Sequence, residues 1–293
     1  MQDKHLITVV TPTYNRAYIL HKAYESLKKQ TCKSFCWMII DDGSTDDTDE
    51  LVKKWINENE IDIYYYKKDN GGKASALNLA LDKVNTTYIV CLDSDDTFAY
   101  NAIEIALEQL KKIKNNARYC GILALRHSPD GKVLGGKEIP AGITGITLSE
   151  LTDKYKIRSE LICFYKTEII KKYRFPVIQG EKFISPGYLQ HELGRKYKYF
   201  ISRETFCYCE YLDDGLTRNK INIIKKNPKG YTLVKSQSFE LSKNIIPKIK
   251  HCIMYIAGSI LSRDRKFIEN SPNKFMTILC YPLGWLAYKI RFK

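Results

Sequence analysis

The sequence predicts an α/β protein with a mostly parallel sheet that is covered by helices on both faces. Two observations indicate this class. Short apolar runs rich in β-branched residues alternate with helical segments from Leu6 to Leu125. Acidic residues follow directly after several of these runs, where ligands bind in parallel sheets. A chain of 293 residues is long enough for one such domain and a helical extension.

Four strands and four helices account for the first 125 residues. The predicted strands are residues 6–11, 37–40, 61–66 and 86–92. Each is short and rich in β-branched or aromatic residues, which favour extended structure. The predicted helices are residues 16–30, the segment that follows the N-cap cluster at Ser44 and 46–49, residues 73–84 and residues 99–114. The first helix repeats apolar residues on one face, which is typical of packing against a sheet.

The rest of the chain is less regular and ends in a helical region. The predicted elements of the middle part are strands at 159–165 and 204–212 and a short helix at 167–173. From Asn219 the pattern is helical, and residues 248–263 form a strongly amphipathic segment. We therefore expect a main domain at 1–219 and a helical C-terminal region at 220–293.

The excess positive charge lies at the C-terminal end. Residues 1–219 carry 32 basic and 30 acidic side chains, whereas residues 220–293 carry 15 and 3. Residues 275–288 form an uncharged apolar stretch that Pro282 and Gly284 interrupt. This stretch is shorter than the ~20 residues that span a bilayer, and its aromatic residues beside lysine and arginine favour an interfacial segment. The alternative is a helix packed on the main domain.

The pattern of glycines and cysteines argues against several kinds of site. Gly71-Gly72-Lys73 is similar to the end of a phosphate-binding loop, but Lys67 stands where that motif needs its first glycine. The glycine fingerprint of a dinucleotide-binding fold is absent. The nine cysteines include no CxxC pair. They are expected to be free thiols, mostly buried, in a protein of the reducing cytosol.

No secretory signal is recognised in the sequence. No RNA-binding signature is recognised either, so an anionic membrane suits the basic region better than nucleic acid.

Four motifs occur in order at the ends of predicted strands. They are VVTPTYNR (9–16), IIDDGSTDDT (39–48), DNGGKASALNLAL (69–81) and CLDSDD (91–96). Each alone has an ordinary structural explanation, but together at this spacing they resemble the inverting glycosyltransferase family 2 of bacterial polysaccharide assembly. The weaker parts of the resemblance are GEKF (180–183), DDGLT (213–217), NPKGY (227–231) and PLGWL (282–286).

The resemblance implies a GT-A fold, which is a Rossmann-like, mostly parallel mixed sheet flanked by helices, here with a basic helical extension. Residues 1–125 would form the nucleotide-binding half and residues 126–219 the acceptor half. The implied reaction transfers a sugar from a UDP-sugar to a saccharide acceptor with inversion. The Gln-x-x-Arg-Trp motif of processive relatives is absent, so one sugar per encounter is expected. The acceptor is expected to be a lipid-linked oligosaccharide of a capsule or another cell-surface polysaccharide.

The resemblance also assigns the donor site. The implied nucleotide-sugar-binding residues are Thr11, Pro12, Tyr14, Asn15, Asp41, Asp42, Lys73 and Asp93. Asp41 would accept the N3 proton of the uracil, and Tyr14 and Pro12 would form a wall beside its ring. Lys73 would either meet phosphate or pair with Asp93.

Three carboxylates in CLDSDD need a cation nearby, because like charges this close repel. A hard divalent cation held by carboxylate oxygens would stabilise the charge that grows on the diphosphate leaving group. Asp95 is best placed to hold this metal, with Asp93 reaching the metal or the ribose. Asp96 is expected to cap the following helix. The metal is Mn²⁺ or Mg²⁺, since oxygen ligands do not separate the two.

An inverting transferase needs a general base on the acceptor side. The resemblance implies an acidic residue near the position of Pro186 and Gly187, and this chain departs from the family pattern there. Glu181 and Glu192 are the remaining candidates. Glu181 is favoured because it lies on a loop rather than part-way along a helix.

Two other functions fit part of the pattern. A sugar-1-phosphate nucleotidyltransferase would use a similar sheet and metal, but it would usually show a glycine-rich loop after its first strand, where this chain has TPTYNR. A non-catalytic sugar-nucleotide-binding or scaffold protein would explain the missing acid near Pro186. We expect a cytoplasmic protein held peripherally on the inner face of the bacterial plasma membrane, and we expect salt or alkaline carbonate to release it.

Overall fold

The structure is a computed structural model that describes residues 5–210 and 220–293. These residues form two compact units. The described part of the first unit is residues 5–146, 157–174 and 196–210, and that of the second is residues 147–156, 175–195 and 220–293. The predicted domain boundary at residue 219 lies outside the described residues.

The first unit contains a sheet and the helices that cover it. Its strands are β1 (Ile7–Thr13), β2 (Phe35–Asp41), β3 (Ile63–Lys67), β4 (Tyr88–Cys91), β5 (Thr97–Phe98), β6 (Tyr119–Leu125), β7 (Gly145–Ile146), β8 (Leu161–Lys166), β9 (Lys198–Ile201) and β10 (Cys207–Tyr208). Its helices are α1 (Ala17–Lys28), α2 (Thr48–Glu58), α3 (Lys73–Lys83), α4 (Ala102–Ile113) and α5 (Thr167–Ile170).

Eight strands form one mixed sheet in the order β3-β2-β1-β4-β8-β6-β9-β7, and β5 pairs with β10. Strands β1 to β4 all run parallel to one another. Strand β8 lies between β4 and β6 and is antiparallel to both. The predicted α/β class with a largely parallel sheet is confirmed. Because the motif-bearing strands β1, β2 and β4 are mutually parallel, their carboxyl ends lie at one edge of the sheet.

Burial explains why the parallel strands are so apolar. Every residue of β2 is buried, as expected for a strand with helices on both faces. Tyr24 of α1 stacks on Trp55 of α2 with ring centroids 4.4 Å apart, and Trp37 of β2 lies 5.8 Å from Trp55. These three rings fix the two helices that follow the first two motifs.

Three predictions about elements were incomplete or wrong. The predicted strand at 204–212 is reduced to Cys207–Tyr208 among the described residues, and its last two residues lie outside them. Strands β5, β6, β7 and β9 were not predicted. Asp96 does not cap α4, because that helix begins at Ala102 after Asn101.

The second unit is helical. It contains a single-turn π-helix (Glu150–Lys154), α6 (Gly187–Leu193), α7 (Lys220–Lys226), α8 (Pro228–Leu241), α9 (Ile245–Leu261) and α10 (Lys274–Phe292). Phe239 of α8, Ile256 of α9 and Cys280 of α10 share one buried cluster. Among the residues that the structure describes, no helix combines the length and the apolar character needed to cross a membrane.

Candidate active site

The loop after β1 is fixed against the loop after β2. The amide of Asn15 donates to Ser44 Oγ at 2.9 Å, and the amide of Thr45 donates to Asn15 Oδ1 at 2.8 Å. Asn15 has φ 51°, in the left-handed region that asparagine tolerates better than most residues. This turn leaves Tyr14 47% exposed beside half-buried Pro12. Tyr14 therefore presents an aromatic ring to solvent at the carboxyl end of β1.

Two other predicted donor-site residues on β1 and β2 are fully buried. Thr11 Oγ1 accepts a hydrogen bond from Trp37 Nε1 at 2.8 Å. The carboxylate of Asp41 accepts from the Ser44 amide at 2.7 Å and from the Tyr65 hydroxyl at 2.6 Å. Both side chains hold the fold together at the strand ends.

Asp42 organises the glycine-containing loop that precedes α3. Its carboxylate accepts from Lys68 Nζ at 2.8 Å, from the Gly71 amide at 2.9 Å and from the Gly72 amide at 2.6 Å. Gly72 has φ 86°, a conformation that residues with a side chain rarely adopt. The loop therefore ends in a defined position and places Lys73 at the first turn of α3.

Asp93 follows β4 and is held by two cations. Lys73 Nζ bonds its Oδ1, and Arg126 donates to its Oδ2 at 3.1 Å. Burial alone would raise the pKa of Asp93, but Lys73 and Arg126 outweigh burial and lower it. Of the two partners predicted for Lys73, the structure shows Asp93.

Arg126 is a site residue that the sequence analysis missed. It directly follows β6, its side chain is only 13% exposed, and its guanidinium bonds both Asp93 and Asp96. Its Nε also donates to the carbonyl of Leu161 at 3.0 Å. An arginine immediately after a buried apolar strand was the available signal. Its partners lie about thirty positions earlier, so sequence alone did not connect them.

Asp95 differs from its acidic neighbours. It is half-buried, and no basic side chain among the described residues forms an ion pair with it. Burial and then the negative charge of Asp93 raise its pKa. A backbone hydrogen bond and the charges of Arg16 and Lys73 act in the opposite direction but do not outweigh these two effects.

A second cluster beside Arg126 has metal-ligand composition but a different role. The ligand atoms of Asp96, Cys207 and Cys209 lie within 4.8 Å of one another. However, the Arg126 guanidinium bonds Asp96 and lies 3.7 Å from Cys209 Sγ. A permanent cation already occupies this cluster, so it is poorly suited to a metal ion.

In the second unit, Glu181 connects two segments of the family-like sequence. Its carboxylate accepts from the amides of Lys229 and Gly230 at 2.8 and 2.7 Å, at the start of α8. In return, Asn227 Oδ1 accepts from the amides of Lys182 and Phe183 at 2.8 and 3.0 Å. GEKF and NPKGY thus cap each other's backbone, which sequence reasoning did not foresee.

Glu192 lies in α6 and is also engaged. Arg195 Nε donates to both of its oxygens at 3.1 Å, and Gln237 Nε2 donates to Oε1 at 2.7 Å. Pro186 is the N-cap residue of this helix, so the position of the expected acid is a helix start. The DDGLT segment lies outside the described residues. Neither glutamate has been tested as the base, and both assignments stay predictions.

Comparison with known sequences decides the family. The sequence model of glycosyl transferase family 2 matches residues 8–174, which is more than half of the chain. The chain belongs to glycosyl transferase family 2. The predicted family is confirmed, and the match argues against the nucleotidyltransferase alternative.

A curated relative is an uncharacterised glycosyltransferase of Rickettsia bellii, with 37% identity over 128 residues. The aligned part is 44% of this chain but only 18% of that protein. The chain thus spans less than a fifth of the length of this relative.

Two solved structures share the fold. Staphylococcus aureus TarS in complex with UDP-GlcNAc has a TM-score of 0.57 at 16% identity, covering 97% of this chain and 91% of that one. A Pyrobaculum calidifontis mannosyltransferase in complex with GDP-Man and Mn²⁺ also has a TM-score of 0.57 at 16% identity, with coverages of 96% and 73%. The predicted GT-A fold is confirmed.

Proposed function

We propose that this family 2 member is a metal-dependent inverting transferase that moves one sugar from a UDP-sugar to a saccharide acceptor. One observation carries the proposal. Among the strand-end acids, Asp41, Asp42, Asp93 and Asp96 all accept bonds from described side chains or backbone amides, whereas no described side chain bonds half-buried Asp95, on which Arg16 and Lys73 act only through their charges. The UDP-GlcNAc complex of TarS and the Mn²⁺ complex of the mannosyltransferase support the same choice of ligands.

The side chains present fit a hard divalent cation. Asp95 offers carboxylate oxygens, which Mn²⁺ and Mg²⁺ both accept. Asp93 is proposed either as the second ligand or as the residue that contacts the ribose. Both of its oxygens already bond a cation in this structure, Oδ1 to Lys73 and Oδ2 to Arg126. When bound, the cation would neutralise charge on the diphosphate leaving group. Lys73 and Arg126 keep Asp93 charged and fixed beside that position.

The nucleoside is proposed to lie against the exposed ring of Tyr14, with Pro12 completing the wall. Asn15, Asp42 and Thr11 support this pocket by fixing its loops and strands. Asp41 is the proposed acceptor of the uracil N3 proton. Because its carboxylate is buried against the Tyr65 hydroxyl, that contact requires Tyr65 to move aside.

Glu181 is the proposed general base, with Glu192 as the alternative. A carboxylate has about four lone-pair positions. The two amides at Glu181 orient its carboxylate and leave acceptor capacity on both oxygens. Three donor contacts, two of them from an arginine, leave Glu192 fewer free lone-pair positions for a hydrogen bond from the acceptor hydroxyl.

The acceptor is proposed to be a lipid-linked oligosaccharide of a capsule or another cell-surface polysaccharide. The protein would work in the cytoplasm, peripherally on the inner face of the bacterial plasma membrane. The support is the basic excess of residues 220–293, which suits an anionic surface.

A non-catalytic sugar-nucleotide-binding or scaffold protein is the second candidate. The observation in its favour is Pro186 at the start of α6, where relatives are expected to have an acid.

Donor hydrolysis with and without Mn²⁺ separates the two functions. A transferase should release UDP slowly in water only when metal is present, and Asp95→Asn should abolish that release. Asp130→Asn, an exposed acid paired with Lys132 in the same unit, is the matched control. A scaffold would show UDP-sugar stabilisation in a thermal-shift assay without any hydrolysis, even with acceptor added.

A further inference from the structure

One face of α10 is apolar and uncovered. Large apolar side chains on this helix are between 42% (Tyr281) and 79% (Ile290) exposed. They are Phe275, Ile278, Leu279, Tyr281, Leu283, Trp285, Leu286 and Ile290. They make up eight of the eighteen exposed large apolar side chains among the described residues, on a helix of 19 residues.

The opposite face of α10 is already occupied. Thr277, Cys280 and Gly284, which follow one another at helical spacing, are buried. A Cβ atom added to Gly284 would lie 2.5 Å from the side chain of Ile256 in α9. This contact fixes which way the helix faces. Rotation of α10 within its own unit therefore cannot hide the exposed face.

The charges around this face indicate what covers it. Lys274 begins the helix, Lys289 and Arg291 lie in its last turn and Lys293 follows it, while no acid lies between residues 274 and 293. Lys289 Nζ also lies 5.0 Å from the ring centroid of Trp285. A second copy of the same helix would bring like charges together. An anionic lipid surface instead offers acyl chains for the apolar residues and phosphates for the cations.

We infer that α10 lies in the plane of an anionic membrane and embeds its uncovered face at the boundary between head groups and acyl chains. This inference rests on the proposed function, because it places the enzyme beside a lipid-linked acceptor. It also changes the expected mode of attachment. Insertion of eight apolar side chains makes the attachment mainly hydrophobic, so high salt should not release the protein, contrary to the expectation from sequence.

Vesicle flotation of the full chain tests the inference. The probes are vesicles of phosphatidylcholine alone and vesicles with about one third phosphatidylglycerol. The protein should float with anionic vesicles, and ~1 M NaCl, which shortens the Debye length to ~3 Å, should weaken binding by less than about tenfold. Full release by salt would overturn the insertion and leave adsorption by charge alone.

Trp285 gives a direct readout of insertion. The chain has three tryptophans, of which Trp37 and Trp55 are buried and Trp285 is exposed. Anionic vesicles should shift the emission to shorter wavelength, and brominated lipid should quench it. Unchanged emission in the presence of bound vesicles would overturn the proposal that this face contacts lipid.

Variants on the uncovered face separate insertion from folding. Leu279→Gln with Leu286→Gln should weaken vesicle binding at least about tenfold, because each leucine loses its transfer into lipid. Val177→Gln, which replaces an even more exposed apolar residue outside α10, should leave binding unchanged. Unchanged melting temperatures and unchanged donor hydrolysis in the double variant would show that the fold and the donor site are intact.

Two outcomes identify other occupants or roles. If the protein is a dimer by light scattering without lipid, fails to float, and the double variant is a monomer, a second copy covers the face and the inference is wrong. Flotation does not depend on catalysis, so a protein that floats without hydrolysing donor would contradict the proposed function and not the membrane surface.

Discussion

The two units of the protein bury titratable side chains in different ways. In the first unit, Lys73, Asp93, Asp96 and Arg126 form a connected set of opposite charges after β4 and β6. In the second unit, His191 contacts the neutral hydroxyl of Ser149, with Nδ1 to Oγ at 3.1 Å. Burial, and then the positive charge of His251, lowers the pKa of His191 to about 4. One unit compensates its buried charges, and the other keeps a buried group uncharged.

This difference shows where a ligand is needed. Burying a charge without a partner is expensive, so a charge that stays uncompensated points to a missing partner. In the first unit Arg126 forms ion pairs with Asp93 and Asp96, and Asp95 alone among the CLDSDD acids forms no ion pair with a described side chain, although Arg16 and Lys73 act on it through their charges. In the second unit, Asp153 is satisfied by the Ser242 hydroxyl at 2.6 Å and lies 3.6 Å from His251. The comparison therefore supports Asp95, rather than any acid of the second unit, as the proposed metal ligand.

The largest effect on activity should come from removing the charge of Asp95. Asp95→Asn keeps the shape of the side chain and removes its charge. We expect transfer to fall by at least about 10³-fold, because metal stabilisation of the leaving group is lost. Titration with UDP should show weaker binding than wild type only when Mn²⁺ is present. Equal UDP affinity of the two proteins in saturating Mn²⁺ would rule out the assignment.

Glu181→Gln tests the acids of the second unit. As the base, Glu181 would contribute about 10²–10⁴ in rate, so turnover should fall to that extent while UDP-sugar affinity stays unchanged. Glutamine has one oxygen instead of two, so one of the two backbone amides at the start of α8 loses its hydrogen bond. This loss should lower the free energy of unfolding by about 1 kcal/mol. Steady-state kinetics and chemical denaturation measure the two effects separately.

Glu192→Gln is the matched control for this substitution. It should keep turnover within a few-fold of wild type. A large loss in Glu192→Gln with near-normal turnover in Glu181→Gln would move the role to Glu192. Normal turnover in both would place the base elsewhere in the chain.

Sequence was sufficient for those parts of the site that depend on local pattern. The strands β1 to β4 are apolar runs, and Asp41, Asp42, Asp93 and Asp95 at or just after strand ends could be recognised from position alone. The Arg126 contacts could not, because they join β6 to the end of β4 through three-dimensional packing. The same holds for Glu181, whose partners on α8 lie 48 and 49 residues further along.

The sequence pattern also missed the short strands β7 and β9 and gave the wrong role for Asp96. Strand β9 has four residues and β7 has two, which is too few for a period to emerge. Asp96 looked like a helix cap because it precedes a helical segment. Tertiary contact with Arg126 determines its position instead, and α4 starts six residues later.

Arg126→Met should destabilise the first unit more than it changes the chemistry directly. Burial already raises the pKa of Asp96 to about 7, so removing the guanidinium leaves a buried carboxyl that gains a proton and loses its hydrogen-bond partner. This should lower the free energy of unfolding by about 1–3 kcal/mol. Arg126→Lys should recover part of this loss, because it restores the charge without the two-sided geometry. Chemical denaturation of each purified variant measures the change.

A double variant separates charge compensation from packing. Adding Asp96→Asn to Arg126→Met removes both partners of the pair, so the double variant should be more stable than Arg126→Met alone. If the double variant is as unstable as the single one, the loss comes from packing around the arginine. The pairing of Arg126 with Asp96 would then not contribute to the stability of the first unit through charge.

The smallest expected effect is the pH response of the second unit. His191 has a pKa of about 4 in the folded protein and about 6.5 when unfolded. Between these values the unfolded state binds more protons, so the free energy of unfolding falls as the pH decreases from 6.5 to 4. A loss of about 1–3 kcal/mol across this window is expected from His191.

Asp153 responds at more acidic pH. Burial raises its pKa, but hydrogen bonds from His251 and Ser242 outweigh burial and lower it, so the contribution of Asp153 to the free energy of unfolding is lost only below this window.

Denaturant unfolding at several pH values between 6.5 and 4 measures this response. His191→Gln should flatten the decrease, since glutamine does not titrate. His21→Gln, at an exposed position of α1, should retain it. The activity at pH 7 should be unchanged in both variants, because the histidine is already neutral there. An identical pH dependence of stability in wild type and His191→Gln would mean that His191 gains a proton in the folded protein as readily as in the unfolded chain, and that the second unit does not exclude charge from this site.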